Sequence, residues 1–223
     1  MSIAKPIDLA AALRELPIFP LPQVILFPRA VLPLHVFEPR YRTMISDALS
    51  SHRAIAMGLV DPSGEKDEHG QPRIASVAGV GLIVEHQTLA DGRSNVLLHG
   101  EARVRLTELP FVPPYRRARA TLLEEVHSTV SDGDRASLFA AATAFVSELA
   151  KRDPNVRFQL PRNLPPGAIA DMCAHHLVID ARARQAVLEE LDVAERVRRV
   201  ISELAAQHEE ISRRRDSGGR VLN

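Results

Sequence analysis

The residues richest in chemistry are Cys173, His175 and His176. Read as a helix, Cys173 and His176 stand three apart and share a face. That is the spacing of a thiol nucleophile and its base, or of two metal ligands. Cys173 also falls on an apolar stripe with Ile169, Met172 and Leu177, where a free cysteine packs as a small hydrophobe, and packing is the favoured reading. His86 and His99 flank a hairpin without a third ligand, so no metal is assigned. No glycine is followed by lysine, so there is no phosphate-binding P-loop, and no G-x-S-x-G elbow occurs. Gly79 and Gly81 form a G-x-G inside a strand, with no continuation into a helix. They read as a bulge or a close backbone approach rather than a dinucleotide site. Arg103, Arg105, Arg116, Arg117 and Arg119 could bind phosphate or an acidic peptide. The favoured reading is a solvated strand face balanced by Glu101, Glu108, Glu124 and Glu125. The expectation is therefore no catalytic residue, no metal and no cofactor.

The elements that would carry such residues follow from composition and spacing. The 223 residues are 45% hydrophobic and 25% charged, as in an ordinary globular chain. Lys+Arg and Asp+Glu are both 28, which argues against a free nucleic-acid binder. Three of the basic residues are lysine, Trp is absent and Cys173 is alone, which excludes an internal disulfide. The first twenty residues lack the apolar run of a signal peptide, and no stretch of about 18 apolar residues exists. The expected address is the cytoplasm, with no membrane partner.

Seven of the 16 prolines lie in the first forty residues, between short apolar pieces such as Ile18-Phe19, Val24–Phe27 and Ala30–Leu32. Proline sits at strand ends, edges and bulges, so this segment predicts short strands of a small irregular barrel. Glu38 and Pro39 open a helix whose apolar face is Tyr41, Met44, Ile45, Ala48 and Leu49. Strands are expected at 54–60, 74–84, 95–99, 102–106 and 119–126. Asp91-Gly92 marks a hairpin, and 61–73 is a polar loop. Alternation in 102–106 sets Val104 and Leu106 against Arg103 and Arg105. Beyond residue 127 the pattern is helical: 137–151, a stripe over 169–177, a helix capped by Asp180, and a long last helix opened by Asp192 with Glu195 in capping-box position. Arg213, Arg214 and Arg215 suit its negative end. The reading is α+β: a β-rich subdomain over 1–126, then a helical bundle over 127–223.

The string LPIFPLPQVILFPRAVLPLHVFEPRYRTMISDAL, residues 16–49, resembles the opening of the Lon substrate-binding domain, above all stand-alone bacterial members. Ile18 stands where Leu is usual and Val36 where Ile is. Arg29 replaces a common Gly, which removes a flexible joint. The segments 89–93, 96–100 and 103–106 are similar too, as are IADMCAHHLVID (169–180) and LEELDVAERV (188–197). The resemblance implies a PUA-like mixed β-barrel followed by an α-helical bundle with a long last helix. It also implies a recognition module without the ATPase and peptidase that accompany it in Lon.

From this follows the expectation of a non-catalytic module that binds unfolded or tagged polypeptides through an exposed apolar groove. The expected contacts are Phe27, Pro28, Phe37, Phe111, Pro113 and Tyr115, large apolar residues in proline-rich connections. Glu38, Pro39, Arg40 and Tyr41 form the family motif and read as structural: Glu38 at the positive helix end, Tyr41 in the core, Arg40 placed to pair with a carboxylate. The alternatives are a small-molecule enzyme or hydrolase using Cys173 and His176, and a PUA-like RNA binder. The last helix, roughly 36 Å long at about 1.5 Å per residue, exceeds what a small bundle needs. Its end is expected to meet a partner or a second copy.

Overall fold

The computed structural model describes residues 9–151, 153–156 and 158–218. The residues before Leu9, and the side chains of Arg214 and Arg215, lie outside that description. The chain divides into two compact units, Met1–Glu124 and Glu125–Asn223.

The first unit contains α1 (Leu9–Ala12), β1 (Leu16–Leu21), β2 (Val31–Val36), α2 (Pro39–Ser50), β3 (Ala54–Leu59), β4 (Val77–Thr88), β5 (Ser94–Glu108) and β6 (Arg117–Leu122). The strand order is β2-β5-β4-β3-β1-β6, and β5 also pairs with β6. That extra pairing closes β5, β4, β3, β1 and β6 into a ring, with β2 appended to the first half of β5. Among the described strand pairs of this sheet only β1–β3 is parallel, so the sheet is mixed. α2 starts at Pro39, whose fixed φ suits a first helical position. It buries Tyr41, Met44, Ile45 and Ala48, the expected face. They join Phe19, Leu26, Ile55, Met57, Ile83 and Leu98 in one core cluster. A second cluster gathers Leu16, Ile18, Ala56, Val80, Val104 and Leu106.

The stretch Ile25–Phe27, expected as a strand piece, is buried coil. The glycines of β4 and β5 make room for it. A Cβ on Gly79 would stand 1.8 Å from the Leu26 carbonyl oxygen, and one on Gly100 2.0 Å from that of Phe27. The G-x-G is thus a close backbone approach. The last strand ends at Leu122 rather than Val126. Arg105 is exposed as expected, but Arg103 is buried at 2% and Arg116 at 7%. Arg116 is satisfied by a fork to Glu108 (2.6 and 2.7 Å) and by the Pro72 carbonyl, so the arginines do not form one solvated face.

The second unit holds α3 (Asp132–Ala150), α4 (Pro166–Leu177), α5 (Ala181–Glu189) and α6 (Val193–Gly218). α3 begins five residues before the expected start, because Ser131 accepts from the Asp134 amide and caps it. Asp180 caps α5 through the Ala183 amide (2.8 Å), and Asp192 caps α6 through those of Ala194 and Glu195. The box is not completed as expected: the Asp192 amide donates to Glu190, and Glu195 pairs with Arg198. Arg196 is fully buried and pairs with Glu125 (2.6 Å) and Asp171 (3.6 Å). Among the described residues, no helix is long and apolar enough to cross a membrane.

Candidate functional site

β2 reads Val31-Leu32-Pro33-Leu34-His35-Val36, and side chains alternate between sheet faces. Leu32, Leu34 and Val36 turn toward the core cluster. Val31, Pro33 and His35 turn outward, and Phe37 continues that row at the strand's end. Val31 is 48% and Phe37 61% exposed, the latter well above any other large aromatic of the unit. The register places His99, Leu97 and Asn95 of β5 opposite Val31, Pro33 and His35. Glu85 and Gln87 of β4 lie beyond them, opposite Leu97 and Asn95.

A hollow of about 400 Å³ lies here, lined by Pro33, Leu34, His35, Glu85, His86, Gln87, Asn95, Val96 and Leu97. His35, Asn95 and His86 of its lining are tied down. His35 Nδ1 donates to Asn95 Oδ1 (2.8 Å), and Arg93, itself held by Asp91, reaches His35 Nε2 (3.4 Å). His86 Nε2 lies 3.2 Å from Ser94 Oγ. His99 bonds Glu101 and stands opposite Leu82 rather than near His86. The row from Val31 to Phe37 carries no Lys, Arg, Asp or Glu. It is an apolar edge without formal charge, with a polar margin.

The expected contact residues separate. Phe27 is fully buried, its carbonyl set against Gly100 of β5, and cannot be a surface contact. Tyr115 is 5% exposed; its hydroxyl donates to Asp47 (2.7 Å), and burial with that carboxylate pushes its pKa up to about 12. It too belongs to the core. Pro28 and Phe111 are half-buried, and Pro113 is exposed. Phe111 packs on His69 (5.6 Å) and lines a polar hollow with Asp67, Glu68, Arg73, Glu108 and Arg116. That hollow shares no residue with the one beside β2. Phe37 alone of the six lies on the β2 row. Val31, Pro33 and Leu97 were missed: the uncharged V-L-P-L-H-V-F run is visible in the sequence, but its place at the sheet's edge is set by the pairing order.

The motif residues have local partners. Glu38 is the residue before α2, and Arg40 bonds it (3.0 Å) while lying 4.5 Å over the Tyr41 ring. Tyr41 is 4% exposed, and its ring centroid is 4.4 Å from that of Phe19. The thiol–imidazole pair does not form a nucleophile: Cys173 is fully buried, and burial pushes its pKa up to about 12. His176 packs at a tilt against Phe158 (ring centroids 5.6 Å apart). Among the described residues, no group of three or more His, Cys, Asp or Glu could hold a metal ion.

The fold is that of Lon N-terminal domains. The N-terminal domain of Mycobacterium avium complex Lon protease matches with a TM-score of 0.61 at 19% identity, over 86% of this chain and 98% of that one. A Lon N-terminal domain protein from Xanthomonas campestris matches equally, over 84% and 97%. The family model of the ATP-dependent protease La (LON) substrate-binding domain matches residues 15–206, and the chain belongs to that family. Lon protease of Roseiflexus castenholzii is 29% identical over 198 residues, and Lon protease 2 of Sorangium cellulosum 31% over 207. Each alignment takes in 87% of this chain, which spans about a quarter of the length of these relatives (24% and 25%).

Proposed function

We propose that this chain is a polypeptide-recognition module that binds non-native or tagged proteins through the apolar β2 row and performs no bond-breaking itself. Membership of the Lon substrate-binding family supports the class of ligand. The observation that carries the location is the uncharged, exposed row of Val31, Pro33 and Phe37 beside the Leu97 hollow. Isolated exposed apolar residues are ordinary, but a contiguous row with a polar margin marks a contact surface. A buried thiol with its pKa near 12 supports the non-catalytic reading. The balance of 28 basic and 28 acidic residues supports a protein ligand over nucleic acid. The proposed address is the cytoplasm.

The test is a titration of fluorescein-labelled, reduced and carboxymethylated lactalbumin, with native lactalbumin as control. Binding of the unfolded form alone, weakened at least tenfold by Val31→Ser with Phe37→Ser, supports the proposal. Equal binding of both forms, none at all, or an unaffected double variant counts against it.

A further inference from the structure

We propose that polypeptide adds to this protein as an extra strand along the open edge of β2, main chain to main chain, with Pro33 as a built-in gap in the ladder. This rests on the function proposed above and specifies how the ligand is held.

Among the described residues, β2 ends the strand order and pairs with β5 alone. The Gly100 amide donates to the Ala30 carbonyl (2.8 Å), and hydrogen-bonded pairs alternate along an antiparallel ladder. Leu32, Leu34 and Val36 therefore take the bonded positions, opposite Leu98, Val96 and Ser94. Val31, Pro33 and His35 turn their main-chain groups to the open side. Pro33 falls on an open position, where its missing N–H breaks no bond to β5. The edge thus offers two donors, Val31 and His35, about 13 Å apart at roughly 3.3 Å per residue, and three carbonyl acceptors.

Natural edge strands are usually blunted by charged side chains, bulges or proline. β2 has no formal charge between Val31 and Val36, and proline is its one blunting device. Leu32 and Leu34 are half-buried on the inner side, while Val31 and Pro33 are exposed on the outer. A strand laid here meets apolar side chains on both of its faces, as cross-strand pairing requires. Only an extended chain can satisfy a row of outward amides and carbonyls while covering both faces. A second copy of β2, paired antiparallel about the middle of the strand, would set Pro33 against Pro33 and lose the central bonds. The occupant is therefore an extended segment of another polypeptide with apolar residues on both of its faces.

The experiment uses a fluorescein-labelled, end-capped ten-residue peptide with six central apolar residues between charged ends, and its counterpart N-methylated through the six central amides. The expected results are binding of the first peptide, at least tenfold weaker binding of the second, and slowed hydrogen exchange at the Val31 and His35 amides. Pro33→Val, which restores a donor at the gap, should tighten binding about three- to tenfold, the worth of one added hydrogen bond. Equal affinity for both peptides, unprotected Val31 and His35 amides, or no gain from Pro33→Val overturns the strand-addition mode while leaving recognition intact. Absence of binding by unfolded lactalbumin as well as by the peptide defeats the function itself, and the mode with it.

Discussion

Replacing Gly79 by alanine should collapse the seating of the buried coil against the barrel. The new Cβ would stand 1.8 Å from the Leu26 oxygen and 2.8 Å from its carbonyl carbon. Both obstacles are main chain, so no rotamer change relieves them, and the two backbones must part by about 1 Å or more. Leu26 and Phe27, both fully buried, would lose contact with the core. Overpacking ordinarily costs about 1–3 kcal/mol. A backbone-to-backbone collision belongs at or above that upper figure, equivalent to a fall in Tm of about 10 °C for a unit of this size. The two tyrosines, Tyr41 and Tyr115, both lie buried in the first unit, and the chain has no Trp. Urea unfolding followed by tyrosine fluorescence therefore reports that unit alone. Gly133→Ala is the contrast: its nearest neighbour would be Ser131 Oγ at 3.7 Å, and the site is helical. There a gain of about 0.5 kcal/mol, read by circular dichroism, is expected. A Gly79→Ala variant within about 0.5 kcal/mol of the parent would refute the reasoning about the buried coil.

Arg29 holds φ at 66°, in the left-handed region. Arg29→Gly should raise stability by up to about 1 kcal/mol in the same assay, as relief of strain outweighs the entropy lost by glycine. Cys173 should resist iodoacetamide at pH 8 in the native protein and react fully in 6 M guanidinium, as mass spectrometry would show; rapid native alkylation would reopen a role for the thiol. Arg196→Ala removes the cation paired with the buried Asp171 carboxylate and should cost about 3 kcal/mol, whereas Glu125→Gln, at the more exposed end of the network, should cost about 1 kcal/mol. Helix content in a urea titration separates the two.

The parts of the fold that local rules govern were legible in the sequence. The apolar face of α2, the caps at Asp180 and Asp192 and the purpose of the Gly79–Gly81 pair each depend on a few neighbouring residues. The burial of Phe27 and Tyr115 was not legible. Proline-rich connections usually run on the surface; the distant glycines at 79, 81 and 100 create a slot for Leu26 and Phe27, and Tyr115 is held in the core with its hydroxyl on Asp47. The fate of Arg103 and Arg116 was equally hidden, because alternation assigns a face but not what covers it. The site shows the same division. Phe37 stood out by size, but Val31 and Pro33 became significant once the pairing order left β2 at the end of the sheet, a long-range fact that spacing within one strand does not carry.

The central claim is that unfolded polypeptide is gripped at β2. The most direct measurement is a chemical-shift titration of the isotope-labelled protein with reduced, carboxymethylated lactalbumin. The account predicts perturbations concentrated on Val31, Leu32, Leu34, His35, Phe37, Asn95 and Leu97. Saturating perturbations confined to residues remote from β2, with these seven unmoved, would contradict it.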